Sequence, residues 1–332
     1  MLQVHKCRLS IATATIMTLV VTVLLSLPLS AATVEANRMT EVSFESAKTY
    51  TDPFNEVTLD AVFTTPDGKT LRVPAFWAGG KTWRVRYASP QTGTHRYRTE
   101  CSDAANAGLH GVAGEVVVTP YVGTNPLFRH GPVRVADDRR HFAYADGTPF
   151  FWLGDTWWMG FVKRLEWPAD FQQFTADRRN KGFTVIQIVA GLYPDMPAFD
   201  ERGLGDAGQP WEKLYARIRP EYFDAADRRI QHLVEQGLTP CVLGCWGYHL
   251  PWLGTEKMKQ HWRYLIARWG ALPVVWCASG EQRCRGITLA ARKPRRNDSA
   301  ANGPRSSAPC APPIPSADSS PPTRAATRAT KF

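Results

Sequence analysis

Cysteine is scarce in this sequence, which has seven in 332 residues. Cys7 lies in the N-terminal segment, and the other six are scattered rather than clustered: Cys101, Cys241, Cys245, Cys277, Cys284 and Cys310. This distribution excludes a small scaffold held together by dense disulfides.

The spacing Cys241-x3-Cys245-x3-His249 raises the question of a metal site. Pro240 and the apolar run predict a strand over residues 239–245, which would separate the two thiols by about 13 Å. Zinc ligands lie ~2.0–2.3 Å from the metal ion. We therefore expect no metal and no other cofactor.

Net charge is nearly absent from the body of the chain, although the whole sequence carries +10. Residues 283–332 hold ten Lys and Arg against two Asp and Glu, and residues 1–36 contribute +1. The remaining residues 37–282 hold 28 basic against 27 acidic side chains. Because the basicity is confined to a C-terminal segment without interleaved aromatic residues, we expect no nucleic-acid partner. A nucleic-acid or membrane-surface binder that uses this segment stays open as an alternative, and deleting residues 283–332 would test it.

The N-terminal segment, residues 1–36, has the features of a signal peptide. Lys6 and Arg8 precede a stretch of uncharged, mostly apolar residues from 11 to 29, and Ser30-x-Ala32 and Val34-x-Ala36 are candidate cleavage sites. A membrane anchor is the alternative, but threonines and Pro28 dilute the apolar run. We expect a secreted or periplasmic protein with no stable membrane insertion after cleavage.

Residues 37–125 show the two-residue alternation of β-strands. The clearest alternating stretches cover residues 57–63, 83–87, 95–99 and 115–119, with turn sequences such as Pro66-Asp-Gly68 between them. Strands at this spacing predict an all-β, immunoglobulin-like sandwich.

Residues 126–282 change to short apolar runs that alternate with amphipathic helices. The predicted strands are 149–153, 183–189, 238–243 and 273–277, and the predicted helices are 171–180, 221–236 and 257–269. This βα series predicts a parallel sheet. Gly154-Asp-Thr-Trp157 follows the first strand in place of a glycine-rich phosphate loop, so the series favours a barrel over a doubly wound sheet.

Aromatic and polar residues gather after each predicted strand, where a barrel would bring them to one face. Ten of the 12 tryptophans lie between Trp152 and Trp276. Carbohydrate sites pair flat aromatic rings with carboxylates and amides, so we predict a sugar site from eight residues: Asp155, Trp157, Trp158, Gln187, Tyr193, Trp246, Tyr248 and His249. Asp155 could equally be a turn or cap residue, and Gln187 could equally satisfy buried backbone groups.

Glu281 is the predicted catalytic residue. The run Ser279-Gly280-Glu281 ends a buried strand, so its carboxyl would lie in a partly desolvated cleft that raises the carboxyl pKa and suits a general acid. A surface glutamate at the start of a helix is the alternative. The long loop over residues 191–220 carries Asp195, Asp200, Glu201, Asp206 and Trp211 toward the same face, and we expect it to shape selectivity.

Four stretches of residues 40–282 resemble secreted bacterial proteins that join a DUF5060-type β-sandwich to an apiosidase-like (DUF4038-type) catalytic barrel. They are Phe151-Trp-Leu-Gly-Asp-Thr-Trp-Trp158, Gly182-Phe-Thr-Val-Ile-Gln-Ile-Val-Ala-Gly-Leu-Tyr-Pro-Asp195, Gly244-Cys-Trp-Gly-Tyr-His-Leu-Pro-Trp252 and Pro273-Val-Val-Trp-Cys-Ala-Ser-Gly-Glu281. The resemblance implies a retaining glycoside hydrolase that acts on oligo- or polysaccharides. It also implies an acid/base carboxylate at the end of strand four, which matches Glu281, and a nucleophile at the end of strand seven.

The C-terminal 50 residues depart from that family pattern. They contain eight prolines, no Trp or Tyr, a single Phe, and Asp298 and Asp318 as their acidic residues, a composition typical of disorder. An eightfold barrel typically needs ~250 residues, so we expect about four βα units of an incomplete (β/α)8 TIM-type barrel over 126–282 and a disordered tail over 283–332. A frameshift or truncation near Gln282–Arg283 is the working hypothesis.

A half barrel would leave strand edges unpaired, so we expect poor folding alone or pairing with another copy, and no hydrolysis without the nucleophile. The alternative function is a non-catalytic carbohydrate-binding protein. The sugar, the linkage and the oligomeric state are not determined by these patterns.

Overall fold

The computed structural model describes residues 32–280. Its N-terminal part is a β-sandwich of two sheets, one with strand order β1-β8-β7-β3-β4 and one with order β2-β6-β5. The strands are β1 (Ala32–Glu35), β2 (Thr40–Glu45), β3 (Leu59–Thr64), β4 (Thr70–Pro74), β5 (Phe76–Trp77), β6 (Thr82–Tyr87), β7 (Gly93–Cys101) and β8 (Ala113–Thr119), and the short helix α1 (Pro53–Glu56) precedes β3.

The core of the sandwich follows the alternation predicted from the sequence. Leu59, Ala61 and Phe63 of β3 are fully buried, whereas the residues between them face outward. The Phe63 ring stacks on Tyr87 of the opposite sheet with ring centroids 3.8 Å apart. Apolar contacts of this kind join the two sheets.

The sandwich begins earlier than residue 37, where the sequence placed its boundary. β1 pairs in parallel with β8, from Ala32 opposite Val116 to Glu35 opposite Thr119. The predicted signal segment therefore overlaps a strand of the sandwich over residues 32–35.

A short three-stranded antiparallel sheet links the sandwich to the C-terminal part. Its strands are β9 (Val133–Val135), β10 (Phe142–Tyr144) and β11 (Pro149–Phe150), and it follows helix α2 (Pro126–Arg129). The predicted strand 149–153 is wrong in this region, because only residues 149–150 form a strand and they pair antiparallel with β10. Phe151 is 73% exposed, so the apolar run did not mark a buried strand.

The C-terminal part is a parallel sheet with strand order β12-β13-β14-β15, so each strand lies beside the next in sequence. Helices on the connections cover its outer face. The strands are β12 (Gly154–Trp157), β13 (Val185–Val189), β14 (Thr239–Leu243) and β15 (Val275–Cys277), and the helices are α3 (Ala169–Asn180), α4 (Pro220–Glu235), α5 (His249–Leu253) and α6 (Thr255–Trp269).

Helix α4 ends as the sequence predicts. Gly237 adopts a φ of 78°, and its N–H donates to the Val234 carbonyl while the Leu238 N–H donates to the Leu233 carbonyl. This pair of hydrogen bonds is a Schellman motif, in which a left-handed glycine satisfies the last carbonyls of the helix. The motif turns the chain directly into β14.

Buried ion pairs join the sandwich to the helices. Arg86 of β6 donates to Asp227 of α4 at 2.6 Å and to Glu41 of β2 at 2.8 Å, and it also donates to the Arg268 carbonyl. Asp227 in turn accepts from the Trp269 indole at 2.7 Å. All described residues belong to one compact unit, and the side chains of Arg86, Asp227 and Trp269 are buried within it.

Among residues 32–280, no helix combines the length and the hydropathy needed to cross a membrane.

Candidate functional site

β12 places two of the predicted site residues on the outer, helix-facing side of the parallel sheet. Asp155 accepts a hydrogen bond from Arg178 Nε of α3 at 2.5 Å and one from the Trp157 indole at 2.8 Å. Burial raises the pKa of the Asp155 carboxyl, but Arg178, Trp157 and the Thr156 N–H together outweigh it and hold that pKa below its usual value. This carboxylate is therefore ionised and committed to internal partners.

Trp157 packs on the same outer side. It is 8% exposed, and its ring makes edge contacts with Phe171 at 5.4 Å and Phe174 at 5.8 Å. Residues 155 and 157 lie within the strand, where alternate side chains point to the same face, and not in a loop after it. The structure thus separates Asp155 and Trp157 from the other predicted site residues.

Gln187 lies on the inner face of the sheet, together with Thr156. The Thr156 hydroxyl donates to Gln187 Oε1 at 3.5 Å, and Gln187 stands opposite both Thr156 and Cys241 in the strand register. Gln187 is partly exposed. The two roles considered for Gln187, substrate contact and internal hydrogen bonding, both stay predictions.

Trp158 and Trp246 form an aromatic pair beyond the ends of the strands. Their ring centroids are 5.1 Å apart with an interplanar angle of 61°, and Trp158 is 40% exposed while Trp246 is 6% exposed. Trp246 belongs to a small buried cluster at the C-terminal ends of the strands. Its other buried members are Val162, Val189, Tyr193, Met196 and Leu243. The pair thus offers one exposed ring supported by one buried ring.

Gly280 lies directly against this pair. A β-carbon at position 280 would be 2.4 Å from Trp246 Cε3, so only glycine permits this approach. The Gly247 N–H donates to the Gly280 carbonyl at 2.8 Å, which fixes the chain at this point. Glu281 follows in sequence and lies outside the described residues, as do the predicted tail 283–332 and the segment before Ala32.

Tyr193, Tyr248 and His249 come together, and their polar atoms bind one another. The Tyr248 hydroxyl donates to the Tyr193 carbonyl at 3.0 Å, and His249 Nε2 lies 2.9 Å from the same oxygen. The Tyr193 hydroxyl bonds to Tyr222 at 2.7 Å, and burial raises its pKa. Burial lowers the pKa of His249 to about 4, against a smaller opposing effect of the Tyr193 carbonyl, so this imidazole is neutral near pH 7.

These contacts assign Tyr193 and His249 to the support of the cluster, since both side chains are buried. Their role as substrate contacts stays a prediction, because the structure shows their polar atoms engaged with backbone and neighbouring rings.

A cleft of about 340 Å³ opens beside Trp158. Pockets for small molecules span roughly 300–1,000 Å³, so this cleft is at the lower end of that range. Its walls are Trp158, Met159, Lys163, Arg164, Pro194, Asp195, Met196, Glu201 and Arg202. The sequence pointed to Trp158, Asp195 and Glu201, but it missed Lys163 and Arg164, for which the signal was proximity to Trp158 along the chain.

The other acidic residues of the loop 191–220 make internal pairs. Asp200 pairs with Arg202 at 2.8 Å, which lowers the pKa of Asp200 to about 2, and Asp206 pairs with the buried Arg229 at 2.7 Å. Trp211 is 1% exposed. Three of the five loop residues noted in the sequence therefore hold the loop in place.

The thiols considered for a metal site are buried. Burial raises the pKa of Cys241 to about 11 and raises the pKa of Cys245 as well, which disfavours the thiolate that zinc binds. Within residues 32–280, no group of three or more His, Cys, Asp or Glu side chains is arranged to hold a metal ion.

Comparison with known families gives two matches along the chain. A model described as the catalytic domain of apiosidase-like proteins matches residues 136–309, slightly more than half of the chain. A second model, the domain of unknown function DUF5060, matches residues 33–102, which lie in the β-sandwich. No curated protein matches the chain.

Solved structures resemble parts of the chain. A Bacteroides vulgatus protein proposed to be a glycoside hydrolase is 22% identical, with a TM-score of 0.57, and the match covers 75% of this chain and 49% of that one. A glycoside hydrolase family 5 protein from Bacteroides vulgatus is 19% identical over 48% of this chain and 34% of that one, with a TM-score of 0.38. A family 5 mannosidase from Rhizomucor miehei is 16% identical over 40% of this chain and 32% of that one, with a TM-score of 0.28. The chain therefore spans about half the length of the first structure and about a third of the other two.

Proposed function

The chain belongs to the apiosidase-like family, and from this premise we propose that its parallel sheet carries part of a glycoside hydrolase site. The observation that carries the proposal is the Trp158–Trp246 pair at the ends of the strands, beside a cleft and against Gly280. An exposed indole face suits the CH face of a sugar ring. The substrate class is then an oligo- or polysaccharide.

We infer that the four parallel strands are the first half of a (β/α)8 barrel. Their order follows the sequence without reversal, whereas a doubly wound sheet reverses its strand order at the ligand site. The 0.57 TM-score with the Bacteroides vulgatus protein supports a shared fold over this part. In a barrel the chemistry is located at the C-terminal ends of the strands, where Trp158 and Trp246 lie.

Glu281 is the proposed general acid/base. It follows Gly280 in sequence. The Gly280 backbone packs on the Trp246 ring, so residue 280 lies at the edge of the aromatic pair. Retaining hydrolysis needs a second carboxylate about 5–5.5 Å from the first. The family resemblance implies that this nucleophile lies at the end of a seventh strand, and residues 32–280 contain four strands of the parallel sheet, so we propose that these residues alone do not hydrolyse glycosides.

A turnover assay tests this mechanism. The purified chain would be incubated with a panel of aryl glycosides and plant polysaccharides, beside the Glu281→Gln variant, and we expect no product from either. Hydrolysis by the unmodified chain that disappears in Glu281→Gln would overturn the proposed inactivity and support the catalytic role of Glu281.

The frameshift hypothesis is tested on the gene. The family match continues to residue 309, beyond the point at which the sequence pattern changes. Translation of the other two frames downstream of codon 282 should reveal further βα units, and their absence from both frames would contradict the hypothesis.

A non-catalytic carbohydrate-binding protein is the second candidate function, and the exposure of Trp158 favours it. Binding to a glycan array without turnover is the expected result. Trp158→Ala should remove most of that binding, because it deletes the exposed ring. Phe174→Ala is the matched control, since Phe174 is 46% exposed on the helix-facing side of the sheet.

Secretion to the periplasm or the medium is proposed from the N-terminal segment. Cleavage after Ala36 would remove all of β1, whereas cleavage after Ala32 keeps Thr33, Val34 and Glu35 paired with β8. We therefore favour the earlier site. Mass spectrometry of the exported protein would identify its first residue, and an N-terminus at position 37 would contradict this choice.

A further inference from the structure

Residues 211–218 of the loop between β13 and α4 form a small hairpin, called here the loop hairpin. The Glu212 N–H donates to the Arg217 carbonyl at 2.8 Å, and the two side chains form an ion pair. At its tip, Leu214 and Tyr215 adopt φ angles of 59° and 54°. Left-handed backbone is unfavourable at non-glycine residues, so the surrounding structure must hold this turn in place.

The loop hairpin is tied to the aromatic cluster of the candidate site. Tyr215 is buried, and its hydroxyl lies 3.4 Å from His249 Nδ1. The other nitrogen of His249 lies 2.9 Å from the Tyr193 carbonyl. Tyr193 packs in the same buried cluster as Trp246. Displacement of Tyr215 would therefore remove a support from the segment that carries Trp246.

The opposite side of the loop hairpin rests on the β-sandwich. Phe54 of the short helix α1 (Pro53–Glu56) makes an edge contact with Trp211, with ring centroids 5.5 Å apart. Asn55 of the same helix donates from Nδ2 to the Ala216 carbonyl at 2.9 Å. The Arg217 guanidinium lies 5.6 Å from the centre of the Trp77 ring, also in the sandwich.

Helix α1 is well fixed for its length. The Asp52 carboxylate accepts from the Asn55 N–H at 3.3 Å, and Glu56 Oε1 accepts from the Asp52 N–H at 2.6 Å. This reciprocal pair resembles a capping box, except that the returning carboxylate is at the fourth helical position instead of the third. Pro53 at the first helical position further restricts the backbone.

We propose that helix α1 of the β-sandwich is a positioning element for the site, and that Phe54 and Asn55 hold the loop hairpin against His249 and thereby against the Trp246 segment. The proposal gives the β-sandwich, which matches the DUF5060 family, a role in positioning the site. The proposal rests on the proposed function only in treating the Trp158–Trp246 pair as the site.

Hydrogen exchange measured by mass spectrometry tests the proposal without a ligand. In Phe54→Ala and Asn55→Ala, the amides of Glu212 and Tyr215 should exchange roughly tenfold faster or more, because their hydrogen bonds lose external support. The amides of Trp246 and His249 should also exchange faster, while those of β3 and β7 stay unchanged. A general loss of stability would speed exchange throughout the chain, so it would not produce this regional pattern.

Two variants serve as controls. Phe54→Leu keeps an apolar contact with Trp211 and should retain most of the protection. Phe142→Ala removes an aromatic ring of the small linking sheet, which is 37% exposed and packs on Trp152, and should leave the loop hairpin unchanged.

Three outcomes would overturn the proposal: unchanged exchange in the loop hairpin, faster exchange confined to the hairpin with Trp246 and His249 unaffected, or uniformly faster exchange across the chain. Failure of the proposed function gives a different result. If the wild-type chain binds no glycan on an array, the sugar site is refuted while the exchange pattern still decides the role of α1.

Discussion

Trp157 and Trp158 are adjacent in sequence, yet Trp157 ends β12 on the helix-facing side of the sheet, whereas Trp158 lies just beyond the strand in contact with Trp246. Trp157 is buried against Phe171 and Phe174 of α3, and Trp158 is 40% exposed against Trp246. The same division separates Asp155, bound to Arg178, from Thr156, bound to Gln187. On a strand, a shift of one residue exchanges a structural position for one that a ligand can reach.

We expect the greatest loss of stability when Trp157 is replaced. Trp157→Ala should lower the free energy of unfolding by about 3–5 kcal/mol, because it leaves a cavity in packed core. Trp158→Ala should lower it by less than about 1 kcal/mol, because its ring is already partly in water. Urea unfolding of the two variants measures both values, and equal losses would contradict the assignment of the two faces.

His261 of α6 is fully buried, and the stability of the chain measured against pH tests its contribution. Its Nε2 lies 2.8 Å from the Gly244 carbonyl, and burial lowers its pKa to about 4. The unfolded chain binds a proton at this residue near pH 6.5, so the stabilisation is complete above that pH and is lost as the pH falls toward 4. We expect a loss of roughly 3 kcal/mol over that interval.

His261→Gln should reduce this slope while it lowers stability at pH 7. Thermal unfolding between pH 4 and 7 gives the comparison. A slope as steep in the variant as in the unmodified chain would show that His261 contributes little to it and that other groups, such as the buried His249, dominate.

A smaller effect is expected at Asp155. Asp155→Asn should cost about 1 kcal/mol, because the ion pair with Arg178 is partly exposed and is screened by water. The pKa of this carboxyl is lowered in the folded chain, so its contribution is present above pH ~4 and is lost at lower pH. Unfolding measured at two salt concentrations should show that Asp155→Asn destabilises the chain less at high salt. A destabilisation that does not depend on salt would argue against the ion pair.

The smallest effect is expected on the inner face, at Gln187. Gln187→Leu should change the free energy of unfolding by less than about 1 kcal/mol, since the Thr156 hydroxyl is its hydrogen-bond donor at 3.5 Å. Its effect should appear in glycan binding measured on an array. A large loss of stability without any change in binding would place Gln187 with the structural residues.

Sequence patterns predicted most of this fold because apolar residues recur with the helical period in the helices and with the two-residue period in the sandwich strands. Helix α4, predicted over 221–236, occupies Pro220–Glu235, and β14, predicted over 238–243, occupies Thr239–Leu243. β12 was missed because Gly154-Asp-Thr-Trp157 has little apolar character, and it becomes a strand through its pairing with β13.

The structure brings together only some of the predicted site residues. Trp158 and Trp246 are in contact, whereas Asp155 and Trp157 lie on the helix-facing side of the sheet. The sequence could not show that Arg178, 23 residues along the chain, would engage Asp155. It also could not show that His249 binds a backbone carbonyl, because such partners have no sequence signature.

The ion pair between Arg86 and Asp227 has a consequence for recombination between related genes. Its two ends come from the segments that match two different families, and both side chains are buried. A transplanted sandwich without an arginine at position 86 would remove the nearest cation from the buried Asp227 carboxylate and leave it with the Trp269 indole and the more distant Arg268, at a cost of up to about 3–5 kcal/mol. The two modules are therefore expected to be inherited, and to be engineered, as a matched set.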